Sequence, residues 1–271
     1  EDRPAAEAYC ERIGKWQEKA LREAKLRTNW TDPHSEYESA CRQYLSALLL
    51  GDECRGLRSE IAEAAVELAP VGALNSLTQT LLRMTTPGVP DLYQGTDYWD
   101  FSLVDPDNRQ PVDFARRRAT FDLQAQPVEL LANWKDGRIK QWLIARTLNL
   151  RSTQPRLFSE GRYLPLKVEG EHARQVIAFA RELDGTWVIV IAPRLATGLL
   201  ADRHTPHIAP ERWADTLVQL PEVLSGMRLT GLLDTETVTP RQTSLHLRQV
   251  LGSLPVAVLQ TTFTAQGENE R

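Results

Sequence analysis

The chain has 271 residues, of which 42% are hydrophobic and 25% charged, with a formal net charge of −4 and an isoelectric point near 5.8. These values exclude a disordered chain and are those of an average globular protein with one or two cores. They also argue against nucleic acid as a partner, because the one basic cluster, Arg116 to Arg118, is too short for a binding face. We expect no membrane contact, since the longest apolar runs fall far short of the ~20 residues of a spanning helix.

The cysteines and histidines do not predict a metal site. Cys10, Cys41 and Cys54 lack CxxC spacing and a nearby histidine, so we expect free thiols in a reducing cytoplasm. His204 and His207 are three residues apart in a long polar segment, where a solvated loop is the favoured interpretation. The sequence therefore predicts neither a metal nor a cofactor.

Helical periodicity dominates the first 151 residues. Apolar residues that recur at intervals of three and four predict a first helix, and Thr31 or Asp32 is the candidate N-cap of a second helix that runs to Gly51. Pro70 is expected to separate the third and fourth helices. The predicted helices are 4–27, 32–51, 57–68, 72–84, 111–121 and 137–151.

The pattern then changes to short alternating segments, typical of strands. The segments are QVIAFAREL, TWVIVIAPR, MRLTGLL, SLHLRQV and VAVLQTTF, and Asp184-Gly185 lies between the first two like a hairpin turn. Helices followed by strands indicate an α+β protein. We predict a helical region over 1–160 and a C-terminal antiparallel, sandwich-like β domain over 161–271.

One segment differs from both patterns: RMTTPGVPDLYQGTDYWDFSLVDPDNRQPVDF, residues 83–114. Val89, Leu92 and Tyr93 stand among prolines, which predicts a very short strand that ends in a tight turn at Gly95. A brief strand between two helices is typical of a β/α unit of a parallel barrel, so we expect the helical region to hold the last unit or units of a TIM-type barrel. The loop 94–111 would then follow a strand C-terminus, where such folds build their active sites.

This loop combines carboxylates, amides, an arginine and aromatic rings, a mixture that suits the hydroxyls and apolar faces of a sugar. DPDN is also an ordinary turn sequence, and spacing alone favours that structural interpretation. The candidate substrate-binding residues are Tyr93, Gln94, Asp97, Asp105, Asp107, Asn108 and Arg109.

A family resemblance favours the interpretation of this loop as a sugar-binding site. The stretch TTPGVPDLYQGTDYWDFSLVDPDNRQPVDF resembles the eighth-strand segment of the α-amylase superfamily of glycoside hydrolases, PG-x-P-x-x-Y-x-G-x-E followed by DP-x-N-R-x-P. The upstream stretches KALREAKLRTNWTDPHSEYE and GALNSLTQTLLRMTTPGVPD resemble the barrel and helical insertions of one group of isomerases within this superfamily. Two positions depart from the pattern: Asp97 stands where the family usually has Glu, and Gln110 where a second Arg is common.

Within the superfamily, the sequence of this segment most resembles the isomerases that convert the reducing-end α-1,4 linkage of a maltooligosaccharide into an α,α-1,1 linkage. The resemblance implies a maltooligosaccharide substrate and three catalytic carboxylates on earlier barrel strands. Residues 1–82 contain no stretch similar to those motifs. We therefore expect the C-terminal part of such an enzyme, which has the N-terminal remainder of the barrel as its partner, holds no catalytic residue and is inactive alone.

Two other functions stay open at this point. The β domain, with Trp187 and Trp213, could bind glucan or simply pack against a barrel. The chain could also belong to a different α-glucan hydrolase or transglycosylase, which only the reaction product distinguishes.

Overall fold

The computed structural model describes residues 2–200, 204–240 and 242–261, with helices before residue 160 and mainly strands after it. The α+β class is therefore confirmed. The longer helices are α1 (Arg3–Ala24), α2 (Ser35–Leu50), α3 (Arg55–Thr85) and α6 (Arg138–Thr153). The shorter ones are α4 (Phe114–Ala119), α5 (Pro127–Ala132), α7 (Pro155–Ser159) and α8 (Leu247–Val250). Across the described ranges, no helix is both long and apolar enough to cross a bilayer.

The N-cap predicted for α2 is wrong. The imidazole Nδ1 of His34 accepts a hydrogen bond from the amide of Tyr37 at 3.2 Å and caps the helix. Thr31 and Asp32 lie before the helix because the side-chain oxygen of Asn29 accepts from both of their amides, at 2.9 and 2.8 Å. The two predicted caps therefore belong to a turn that the Asn29 side chain holds, and neither of them begins the helix.

Pro70 does not interrupt α3, which contradicts the prediction of two helices. A proline inside a helix removes one backbone hydrogen bond and costs roughly 3 kcal/mol. The half of α3 that follows it buries Leu74, Leu77, Leu81 and Met84, each with at most 2% of its surface exposed. Burial of such side chains contributes about 1.5–3 kcal/mol each, which offsets the cost of the proline.

The strands form two antiparallel sheets. The strands are β1 (Arg162–Pro165), β2 (Val168–Glu169), β3 (Val176–Leu183), β4 (Thr186–Pro193), β5 (Leu217–Gln219), β6 (Leu229–Gly231), β7 (Thr237–Val238), β8 (Ser244–His246) and β9 (Ala257–Thr261). One sheet has the order β1-β3-β4-β9-β6-β7 and the other β2-β5-β8. As predicted, Asp184-Gly185 joins β3 to β4, and both residues have positive φ, 50° and 81°.

Two predicted strands are corrected. SLHLRQV forms a strand only over β8 and continues as the short helix α8. Residues 89–93 form no strand, because Pro87 and Pro90 remove donors that a ladder would need. The last part of VAVLQTTF lies outside the described residues.

Backbone contacts divide the chain into two compact units. The first unit comprises Glu1–Glu67 and Asp100–Asp113, and the second Leu68–Trp99 and Phe114–Arg271. In the second unit, residues of both sheets, such as Ile189 and Val218, share one apolar cluster, and α3, α5 and α6 contribute to another. The change from helices to strands lies near residue 160, whereas these units divide the chain elsewhere, so the domain boundary stays a prediction.

Candidate functional site

The backbone of residues 93–96 makes a tight turn in the second unit. The carbonyl of Tyr93 accepts hydrogen bonds from the amide of Thr96 at 3.1 Å and from its hydroxyl at 2.7 Å. Gly95 has φ of 85°, a conformation that favours glycine. The turn leaves the side chains of Tyr93 and Gln94 exposed to solvent.

Asp97, at the end of this turn, is held by two helices. Its Oδ1 accepts from Nε of Arg117 on α4 at 2.8 Å, and its Oδ2 accepts from the amide of Gln141 on α6 at 3.1 Å. Arg117 also donates to the carbonyl of Gly95 at 2.8 Å. The aspartate at this position therefore keeps both oxygens paired although it is shorter than the family's glutamate.

The two aromatic residues after Asp97 serve as anchors. Tyr98 is 6% exposed, and its carbonyl accepts from Nζ of Lys140 at 3.1 Å. The indole of Trp99 donates to the carbonyl of Trp134 at 2.6 Å, and the two rings are 6.3 Å apart, edge to face. These contacts fix the polypeptide after the turn, and the ring of Tyr98 is too deeply buried to stack on a sugar.

Asp107, in the first unit, is the most buried acid of the candidate set, at 3% exposure. Nε and Nη2 of Arg12 on α1 donate to its two oxygens at 2.6 and 3.0 Å, a bidentate pair. The amide of Leu103 donates to the same carboxylate at 2.7 Å. Asp107 thus ties the 103–107 turn to α1 within this unit.

Asp105 and Arg109 form a smaller ion-pair network with α1. Asp105 contacts both Lys19 and Arg109, and the guanidinium of Arg109 is 71% exposed. The side-chain carbonyl of Asn108 is buried without a partner in the described part of the chain. Of these residues, Arg109 presents the most polar surface to a ligand.

The charges around these carboxylates keep them ionised. The hydrogen bond from Arg12 lowers the pKa of Asp107, and contact with Lys19, supported by the charge of Arg109, lowers the pKa of Asp105. A general acid for glycoside cleavage needs a raised pKa. Neither aspartate is therefore suited to supply the proton at neutral pH, and their salt bridges to α1 favour roles in binding and loop fixation.

A cavity of about 360 Å³ lies beside Asp107 in the first unit. The α1 side of this cavity presents Glu11, Arg12 and Lys15, and the other side presents Pro106 and Gln110. Its size and mixture of charged and amide groups fit a small polar ligand.

The seven candidate residues fall into two groups. Tyr93, Gln94 and Asp97 belong to the second unit, and residues 105–109 to the first. Sequence reasoning missed the partners that hold these groups: Arg12, Lys19, Arg117 and Gln141. Arg12 and Lys19 are seven residues apart on one helical face, and this spacing was the only local signal for them.

The other candidate ligand groups, two tryptophans and possible metal-binding side chains, form no binding site in the described residues. Trp187 and Trp213 are buried in the core of the second unit, at 6% and 1% exposure, so neither offers a ring face to glucan. In the ranges that the structure describes, no three histidine, cysteine or acidic side chains are grouped to hold a metal ion.

The chain is similar to known proteins in both its sequence and its fold. No protein-family model matches the chain. A Mycobacterium tuberculosis (strain CDC 1551 / Oshkosh) protein named "Putative maltooligosyl trehalose synthase" is 34% identical over 220 residues, 81% of this chain and 25% of that protein. The structure of maltooligosyltrehalose synthase from Arthrobacter ramosus matches 93% of the chain and 30% of its own length, with a TM-score of 0.71 and 31% identity.

This chain is similar to one part of the maltooligosyltrehalose synthases. A hypothetical maltooligosyl trehalose synthase from Sulfolobus tokodaii agrees, with 27% identity and a TM-score of 0.66 over 94% of this chain and 29% of its own. The resemblance predicted from the sequence is thereby confirmed. The chain spans about a quarter of the length of the curated maltooligosyl trehalose synthases that it matches, which is consistent with the predicted C-terminal portion.

Proposed function

We propose that the chain is part of a maltooligosyltrehalose synthase, which converts the reducing-end α-1,4 linkage of a maltooligosaccharide into an α,α-1,1 linkage. The observation that carries this proposal is the likeness to the Arthrobacter ramosus enzyme over 93% of the chain at 31% identity. We include in it the cytoplasmic location, which the three free cysteines support.

Within this function, residues 93–109 contribute to sugar binding and do no proton transfer. In the second unit, Tyr93 and Gln94 have exposed side chains that can stack on, or hydrogen-bond to, a sugar ring. In the first unit, the exposed guanidinium of Arg109 can donate to sugar hydroxyls. Asp97, Asp105 and Asp107 hold the two turns in place through their arginine and lysine partners, and their remaining lone pairs can accept from sugar hydroxyls. Asn108 offers its unpaired carbonyl in the same way.

The reacting carboxylates come, in this proposal, from the rest of a TIM-type barrel. The chain contributes segment 83–114, whose residues 89–93 form no strand, to the end of that barrel. A carboxylate nucleophile forms a glucosyl ester while a carboxylic acid protonates the leaving oxygen. The released glucose turns so that its anomeric hydroxyl, and not its 4-hydroxyl, attacks the ester. The bond to the nucleophile then breaks, and the attacking hydroxyl gives its proton to the carboxylate that had served as the acid. A binding wall that positions the freed glucose favours this attack over water.

The test is an assay of the longer protein that contains this chain, with maltopentaose as substrate and a trehalose-ended, non-reducing product as readout. Tyr93→Ala should lower kcat/KM by roughly twofold to tenfold, the value of one aromatic contact. Val89→Ala is the matched control, since Val89 is 94% exposed nearby and outside the proposed binding set. A hydrolysed product, or equal activity of the two variants, would count against the proposal.

The 271-residue chain by itself gives a second test. We expect no isomerised product from it, because each aspartate of the candidate site is held in a salt bridge with an arginine or a lysine. Turnover by the purified chain would show that it contains an acid and nucleophile pair that we have not recognised.

A further inference from the structure

Segment 86–92, in the second unit, joins the end of α3 to the turn that presents Tyr93 and Gln94. The segment forms neither helix nor strand, and its two prolines, Pro87 and Pro90, have no N–H to donate. Without the hydrogen bonds of a helix or a ladder, its backbone depends on side chains for a fixed position. The contacts of its carbonyls therefore decide how firmly the turn is held.

Arginine side chains supply these contacts. Four carbonyls in and just before the segment accept no hydrogen bond from a described main-chain amide, and each accepts from a guanidinium instead. The pairs are Met84 with Arg151 at 2.9 Å, Thr85 with Arg181 at 3.3 Å, Gly88 with Arg151 at 2.9 Å and Asp91 with Arg83 at 3.0 Å. Together with the bond from Arg117 to the carbonyl of Gly95 in the turn, they hold the backbone at intervals of three or four residues.

Arg151, in the last turn of α6, is the residue that bridges two of these carbonyls. Its Nη1 donates to the carbonyl of Met84 and its Nη2 to that of Gly88, a contact that we name the Arg151 clamp. One planar guanidinium thereby joins the end of α3 to the segment, which the single ammonium of a lysine does not reproduce. The centre of the buried ring of Phe158 lies 4.8 Å from the guanidinium carbon and supports it.

Arg151 and its neighbour Arg181 use their charges on neutral groups. Neither forms an ion pair with a described carboxylate, and Arg181, at 1% exposure, also donates to the carbonyls of Leu157, Phe158 and Gly161 at 3.1, 3.0 and 2.9 Å. Burial lowers the pKa of both arginines, and the charge of Arg151 further lowers that of Arg181. Charges held in this way without an acid add little stability, whereas their hydrogen bonds fix the path of the backbone.

We propose that Arg151 is a positioning residue for sugar binding, because its clamp fixes segment 86–92 and with it the exposed side chains of Tyr93 and Gln94. Arg151 acts through the main chain and does not contact the sugar. A turn that is ordered before the sugar arrives binds it more tightly, because less conformational freedom is lost on binding. The sugar contact of Tyr93 and Gln94 rests on the proposed function, whereas the clamp rests on the contacts of Arg151 alone.

The first experiment measures the motion of the segment by ¹⁵N relaxation of the full 271-residue chain. In the parent chain we expect backbone order parameters of about 0.85 at Val89 and Leu92, the value of rigid backbone. Arg151→Ala should lower them below ~0.6, the value of a flexible segment, and Arg151→Lys should lie between the two. Arg146→Ala is the matched control, because Arg146 is on the same helix and donates to the carbonyl of Leu232, outside the segment.

The second experiment tests whether the clamp acts through the sugar-facing side chains. The longer protein that contains this chain is assayed with maltopentaose, with and without the pair of changes Tyr93→Ala and Gln94→Ala. Arg151→Ala should lower kcat/KM by roughly threefold to tenfold when the two side chains are present, and by less than about twofold when they are absent. A role of Arg151 in stability alone would give the same loss in both backgrounds.

Rigid order parameters in Arg151→Ala, a segment already flexible in the parent chain, or equal losses of kcat/KM in the two backgrounds would overturn the proposal. A failure of the proposed sugar contact gives a different result, because Tyr93→Ala then has the activity of Val89→Ala while the order parameters still report the clamp.

Discussion

Asp107 differs from the other acids of its turn because its carboxylate is almost fully buried, whereas solvent reaches the guanidinium of its partner Arg12. The Arg12 side chain is 35% exposed and that of Asp107 1%. Asp107→Asn removes the charge and one good acceptor, and we expect it to lower the free energy of unfolding by about 1–2 kcal/mol. Urea unfolding followed by circular dichroism measures this.

The control for Asp107→Asn is Glu11→Gln on α1. Glu11 and Lys15 form an ion pair with both side chains about two-thirds exposed, 68% and 67%. Such exposed pairs contribute little, so this variant should unfold like the parent chain. Equal unfolding of the two variants would mean that the buried carboxylate does not hold the turn.

Glu38 predicts an acid dependence of stability. Hydrogen bonds from Arg22 and Thr28 lower the pKa of Glu38 to about 2. In the unfolded chain a glutamate titrates near ~4.3, so the stabilisation is fully present above that pH and is lost as the pH falls through the folded value. The difference in unfolding free energy between the parent and Glu38→Gln should therefore shrink between these two values.

Unfolding titrations from neutral to acid pH measure this difference. Glu36→Gln is the control, because Glu36 is exposed on the same helix and makes no ion pair with a described residue. A constant difference between the parent and Glu38→Gln across the whole acid range would contradict the assigned pairing.

At the scale of elements, periodicity predicted α1, α6 and the β3–β4 hairpin because each of these elements is specified by its own residues. The errors arose where distant contacts override a local signal. Pro70 breaks a helix only when burial elsewhere in that helix does not offset it, and the capping role of His34 depends on what Asn29 does upstream. Neither condition can be read from a single window of sequence.

Only part of the candidate site could be predicted from the sequence. Its acids are visible in DPDN, but their partners on α1 are 86 to 95 residues away along the chain. In the sequence, spacing alone therefore favoured a turn at DPDN, and only the family resemblance favoured a sugar site. The structure shows how Asp105 and Asp107 stabilise the turn, while their contact with sugar stays a prediction.

α3 allows a matched test of packing within one helix. Leu77 is 1% exposed in the core of the second unit, whereas Leu57 is 47% exposed near the start of the helix. Leu77→Ala should cost about 2–5 kcal/mol, the range for a buried leucine, and Leu57→Ala less than ~1 kcal/mol. Denaturant midpoints of the two variants measure this, and similar costs would show that the second half of α3 is not packed as described.

At the scale of the whole molecule, the two units differ in how much apolar surface each buries. In the described part of the first unit, Leu45 is the one buried apolar side chain of the core. The second unit contains two apolar clusters, and in β3 and β4 the side chains of Phe179, Val188 and Val190 are fully buried. Local stability follows buried apolar contact, so the helices of the first unit should open more easily.

Amide hydrogen exchange of the intact chain tests this difference. We expect protection factors in α1 and α2 to be at least roughly tenfold lower than in β3 and β4, because the helices can open without exposing a large core. Asp107→Asn should lower protection in α1 further and leave β3 and β4 unchanged, since the Arg12 pair lies within the first unit. Equal protection of the helices and the strands would contradict the prediction, and so would a loss of protection in β3 caused by Asp107→Asn.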